Sequence, residues 1–139
     1  MDKQNTQPDA ELTAKLIQAL TASNEELFQV VLDQNINVLS NALKNSNLNE
    51  DHLLALLKRR DLSNETLENV YQRYGKKLNH KLIVALCKNP ATPDNIVRVQ
   101  LPKLHLFELI DICFLPGATA DKRLAAEQII RQRPPTTPL

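Results

Sequence analysis

A chain of 139 residues with 42 % hydrophobic side chains suits one folded domain, and with aromatics at 4 % and no Trp its core has to be aliphatic. Leu dominates, β-branched residues are too sparse for a sheet, and only two Gly supply the turns that hairpins prefer, so the expectation is an all-α protein. The net charge of +1 excludes a global electrostatic case for nucleic acid or a membrane surface, although residues 1–43 balance at −4 and residues 44–139 at +5.

Residues 1–8 are polar, end at Pro8 and are expected to be disordered. Asp9 then caps a first helix, with Leu12, Leu16, Ile17 and Leu20 at helical spacing. Ser23 opens a second, showing Leu27, Phe28, Val31 and Leu32 on one face until Gln34-Asn35 breaks it. A third spans about 36–44 with Leu39, Ala42 and Leu43 inward. After the turn Asn45-Ser46-Asn47, Asn49 caps a helix that presents Leu53, Leu54, Leu56 and Leu57, an apolar surface broad enough to be covered on more than one side. Ser63 starts the next, with Leu67, Val70, Tyr71 and Tyr74 inward, and Gly75 is placed to end it in a left-handed cap.

Asn79 or His80 begins a helix through Leu82, Ile83, Leu86 and Cys87 that stops before Asn89-Pro90. Thr92 is the expected cap of a short helix, with Pro93 in its first turn, where a missing amide costs nothing. A further helix covers Leu104 to Cys113, closed by Leu115-Pro116-Gly117. The last covers about 119–133 with Leu124, Ala125, Gln128 and Ile129 inward, and the Pro-rich residues 134–139 form an expected disordered tail. The domain is therefore placed at 9–133.

One phrase recurs through these starts: apolar, capping residue, any, acid, any, apolar. It reads Ala22-Ser23-Asn24-Glu25-Glu26-Leu27, Leu48-Asn49-Glu50-Asp51-His52-Leu53, Leu62-Ser63-Asn64-Glu65-Thr66-Leu67 and Ala91-Thr92-Pro93-Asp94-Asn95-Ile96, with a looser copy at Ala118-Thr119. The capping oxygen accepts from free amides, the acid meets the positive end of the helix dipole, and the apolar pair can clamp the first turn. Caps at 23, 49, 63, 92 and 119 suggest a unit of about two short helices. The architecture expected is short stacked helices in a small right-handed α-solenoid or an irregular helical array, with a compact non-repeating bundle as the alternative.

Lys88-Asn89-Pro90-Ala91-Thr92-Pro93-Asp94-Asn95-Ile96 resembles the Asn-Pro-x-Thr-Pro core of leucine-rich repeat variants, bacterial HEAT-like α-helical repeats. Lys44-Asn45-Ser46-Asn47-Leu48-Asn49 looks like a degenerate copy, and Leu115-Pro116-Gly117-Ala118-Thr119 a weaker one. The resemblance covers roughly residues 36–133 and implies short helices stacked into a curved right-handed array. Members that carry an iron–sulfur cluster hold it on N-terminal cysteines, and no Cys precedes Cys87, so no cofactor is carried over.

Candidate chemistry is thin. His52, His80, His105, Cys87 and Cys113 form no metal-ligand spacing, so no metal site is expected, and His52, in a first turn, reads as a surface residue. Cys87 and Cys113 read as reduced core residues. No nucleophile elbow is present, and Gly75 and Gly117 cannot make a phosphate loop, so no catalytic residues and no enzyme activity are expected.

The polar feature above background is basic: Lys58, Arg59, Arg60, Arg73, Lys76 and Lys77, followed by Lys81. Cations belong at helix C-termini, which accounts for the first four; Lys76 and Lys77 lie past Gly75 and are explained less well. The expected function is a non-enzymatic protein-interaction or scaffold module using these six residues toward another protein, one of acidic character. The runner-up is electrostatic nucleic-acid binding through 58–88. No apolar run resembles a signal peptide or a membrane span, so a cytoplasmic monomer or homodimer, bacterial in source, is expected.

Overall fold

Helix starts recur every 12 to 16 residues in this protein, at Asp9, Ser23, Asn35, Asn49, Ser63, Asn79, Pro93, His105 and Thr119. The structure, a computed structural model, describes residues 9–133, and among them there are helices and no strand, as an all-α protein requires. The expectations for 1–8 and 134–139 lie outside the described residues. In chain order the helices are α1 (Ala10–Thr21), α2 (Leu27–Val30), α3 (Ile36–Lys44), α4 (Glu50–Leu57), α5 (Asn64–Tyr74), α6 (His80–Lys88), α7 (Asp94–Gln100), α8 (Leu106–Cys113) and α9 (Ala120–Gln132). Single 3₁₀ turns, Gly75–Lys77 and Leu101–Lys103, extend α5 and α7.

One register governs most of them. The third and seventh residues after the cap turn inward: Val38 and Ala42, His52 and Leu56, Thr66 and Val70, Leu82 and Leu86, Ile96 and Gln100, Lys122 and Ala126 are all buried. That spacing places both side chains on one helix face. The described residues fall into two compact units dividing between Leu56 and Leu57, where the sequence suggests one domain.

In the first unit α1 packs on α3, with α2 wedged against both. Ala19, Ala22, Leu27, Val30, Val38 and Ala42 form the core, flanked by Leu12, Leu16 and Leu48. Phe28 and Leu32, expected inward, are exposed because α2 is a single turn and its buried side chains are Leu27 and Val30. Ile17 and Leu20 are exposed as well, Ala19 taking the inward place on α1.

Polar side chains close this unit's helix ends. The last carbonyls of a helix have no intrahelical donor. Here the turn after α3 supplies donors, Asn45 Nδ2 donating to the carbonyls of Ala19 and Ala22 (both 3.0 Å), while Asn41 Nδ2 reaches the Leu16 carbonyl inside α1 (3.0 Å). Asn45 is buried at 4 % exposure and also turns its own loop, its Oδ1 accepting from the Asn47 amide at 2.8 Å.

In the second unit α9 lies along α8 and contacts α7. Ile83, Cys87, Val97, Leu101, Leu104, Leu109, Ile112 and Ala126 make the core. The same Asn device returns: Asn89 Nδ2 donates to the Leu57 and Arg59 carbonyls (2.7 Å each) while its Oδ1 accepts from the Ala91 amide at 2.9 Å. Thr92 does not cap α7, contrary to expectation. Its hydroxyl donates backwards to the Leu86 carbonyl at 2.6 Å, sealing the end of α6, and Pro93 occupies the capping position.

Two further expectations are corrected. Gly75 has φ −53° and continues α5 into the 3₁₀ turn instead of ending it in a left-handed cap. A side chain there would have to displace the Tyr71 ring, since a Cβ would sit 2.9 Å from it. The left-handed glycine is Gly117 (φ 85°), third residue of the turn Leu115-Pro116-Gly117-Ala118, where the Ala118 amide donates to the Leu115 carbonyl (3.2 Å). On α9, Leu124 is 61 % exposed and Gln128 is exposed; Lys122 and Ala126 take the buried face. Thr119 fixes that register by accepting from the Lys122 amide at 3.1 Å.

Candidate functional site

The six basic residues divide into two groups. Arg59 grips Asp61 through two bonds of 3.0 Å, Nε to Oδ1 and Nη2 to Oδ2, a contact that holds the Asp61 carboxyl below its usual range. Arg60 Nη2 donates to the Pro116 carbonyl at 3.0 Å, pinning the turn that carries Gly117. Lys58, Arg73, Lys76 and Lys77 are exposed and form no ion pair among the described residues.

The 3₁₀ extension of α5 alters the reading of two of these four. Lys76 and Lys77 lie within a continuous helical path that ends at Lys77, so the negative end of the helix dipole accounts for them as it does for Arg73. Tyr71 and Tyr74 are half-buried. Burial pushes the Tyr74 phenol up, and the neighbouring Arg73 pulls it down. The Tyr71 hydroxyl accepts from Gln100 Nε2 at 3.3 Å.

His52 is fully buried, not on the surface. Its Nδ1 accepts from the Asn49 amide (3.0 Å), Nε2 donates to the Asn24 carbonyl (2.6 Å), and its ring meets Phe28 at 4.4 Å between centroids. Asn49 Oδ1 accepts from the His52 amide in return (3.2 Å), a reciprocal cap with His in the role usually held by Glu or Gln. Both ring nitrogens are thereby committed to the fold.

Cys87 is buried, and burial pushes its thiol up to about 12, far from a reactive thiolate. Cys113 is half-buried and its thiol is also pushed up by burial, with Glu127 adding to the effect. It lines a shallow groove of about 330 Å³ with Ile110, Phe114, Arg123, Glu127 and Ile130. Phe114, at 79 % exposure, is the barest part of that groove. Phe107, Val99 and Leu124 are also exposed on this unit.

The remaining feature has no counterpart in local sequence spacing. His80, first residue of α6, and His105, capping residue of α8, lie with ring centroids 4.4 Å apart at 55°. Glu108 joins them: its carboxylate oxygens are 2.8 and 3.0 Å from His80 Nε2, and Oε1 accepts from the His105 amide at 2.8 Å. Burial pulls the Glu108 carboxyl up, but the His105 amide and the two imidazoles outweigh it and hold the group below its ordinary range. The signal in the sequence is one step removed. His80 and His105 both stand at helix starts, and α6 and α8 touch.

Comparison with protein-family models, curated proteins and solved structures found no match to this chain.

Proposed function

We propose that the protein is a non-enzymatic interaction module, a cytoplasmic helical-repeat protein of bacterial type that binds another protein. The observation that carries this reading is where the polar side chains are spent. Of the buried ones, Asn45, His52, Asn89, Thr92 and Lys122 bond to backbone at or beside helix ends and Thr66 and Gln100 to neighbouring side chains, while Phe107, Phe114, Val99 and Leu124 stand bare. Exposed large apolar groups are what a protein partner covers. Lys58, Arg73, Lys76 and Lys77 would add attraction for an acidic partner, a contribution that acts mainly on the rate of encounter.

Affinity capture from an extract of the source cells, comparing wild type with Phe114→Ser and with Lys76→Glu/Lys77→Glu, tests the reading. A partner retained by wild type and lost from either variant supports it; an identical set of partners for all three removes both surfaces. A nucleic-acid role for 58–88 is the second reading, resting on the exposed cations. It requires a gel shift at low salt that disappears steeply as salt rises.

A further inference from the structure

We propose that His80, His105 and Glu108 form a binding site for a divalent transition-metal ion, with zinc the best match to the donors. Three ligand atoms, one per residue, lie within 4.8 Å of one another. In a tetrahedral zinc site such atoms are about 3.4 Å apart, given metal–ligand bonds near 2.1 Å. Closing that gap takes rotation of side chains, and the two imidazoles are exposed.

Two imidazoles and one carboxylate suit zinc and its first-row neighbours, and are a poor set for calcium or magnesium, which take oxygen ligands. The three residues come from two helices, so their spacing is held by the contact between α6 and α8. Glu108 is already oriented by the His105 amide through Oε1. That bond is the kind of outer contact that fixes a metal ligand and is itself retained on binding. Its Oε2 and His80 Nε2, now 3.0 Å apart, would exchange their hydrogen bond for the metal. Water completes the fourth position.

Two features oppose tight binding. His80 and His105 sit at helix N-termini, the positive ends of two dipoles, and Lys81 follows His80. The site is therefore expected to bind zinc well above the nanomolar range typical of buried four-ligand centres, and to leave the fold intact without metal.

Calorimetric titration of the purified full chain with zinc sulfate tests the proposal, alongside histidine-resolved NMR of the same sample. One equivalent is expected to bind, shifting the ring resonances of His80 and His105 while those of buried His52 stay in place. His80→Ala and His105→Ala should abolish binding, Glu108→Gln should weaken it at least tenfold, and Cys113→Ser should leave it unchanged. No binding at 100-fold molar excess of zinc, or binding that persists in both His variants, overturns the site. Ring shifts confined to His52, or loss of binding in Cys113→Ser, overturns it equally.

Discussion

Replacing Asn89 by Ala should be among the most damaging single changes in the second unit. The side chain is 2 % exposed and makes three bonds, to the Leu57 and Arg59 carbonyls and from the Ala91 amide. Alanine leaves the buried Leu57 carbonyl without its donor, a loss of about 1–3 kcal/mol. The Arg59 and Ala91 groups are partly wetted and add about 0.5–1.5 kcal/mol each. The total, roughly 2–6 kcal/mol, is a large share of the ~5–15 kcal/mol that stabilises a domain. Asn89→Asp should be worse, since a carboxylate oxygen would face two carbonyls where an amide donor had been. Exposed Asn95→Ala should stay within about 0.5 kcal/mol of wild type. Urea denaturation followed by circular dichroism reads all three; at a slope of about 2 kcal/mol/M the Asn89→Ala midpoint should fall by roughly 1–3 M with the slope unchanged. A midpoint within 0.3 M or so of wild type would refute the claim that this amide closes the helix ends.

Lys122 has its ammonium 3.3 Å from the Pro90 carbonyl, and burial pulls its pKa below 10.5 against the opposing pull of Asp94 and Cys87. Between that lowered value and 10.5 the unfolded chain binds more protons, so Lys122 costs stability at neutral pH and the cost is relieved as pH rises toward 10.5. Lys122→Met should match or exceed wild-type stability at pH 7 and lose that advantage by pH 10.5, a crossover that pH-resolved melting would detect; parallel curves would exclude it. Gly117→Ala should cost about 1–2 kcal/mol through backbone strain alone, the nearest atoms to its Cβ being a comfortable 3.8 Å away, whereas Gly75→Ala should cost a similar amount by displacing the Tyr71 ring. Thermal melts of the two, combined with Tyr71→Ala, separate the mechanisms, because only the Gly75 penalty should shrink in the double variant. Native alkylation should modify Cys113 slowly and leave Cys87 untouched until the protein unfolds, followed by mass spectrometry; rapid labelling of Cys87 would contradict its burial.

The helical class and most inward faces are legible in the residues, because Leu and Ala at helical spacing leave little choice. Leu82, Ile83, Leu86 and Cys87 fall where spacing puts them. What escaped was the interval. Taking Thr92 as a cap and passing over Asn35 and His105 suggests a unit of two helices, whereas the starts recur one helix at a time. With that shorter interval Lys122 aligns with His52 and Thr66 as the third residue after a cap, and its burial follows. Hydrophobicity alone points to Leu124 in its place. His52 misleads for the same reason, since its polar atoms meet Asn49 and Asn24, partners that only the fold brings near. The grouping of His80, His105 and Glu108 was out of sight because it depends on α6 touching α8. Lys76 and Lys77 lack an explanation only if Gly75 ends the helix, and it does not.

Lysine footprinting tests the interaction role most directly. Acetylation rates would be compared by mass spectrometry between the purified protein and the same protein in an extract of its source cells. Lys58, Lys76 and Lys77 should react readily when purified and become protected in the extract, with exposed Lys44 unchanged and buried Lys122 slow in both. Equal rates for Lys58, Lys76 and Lys77 in the two samples would contradict the account.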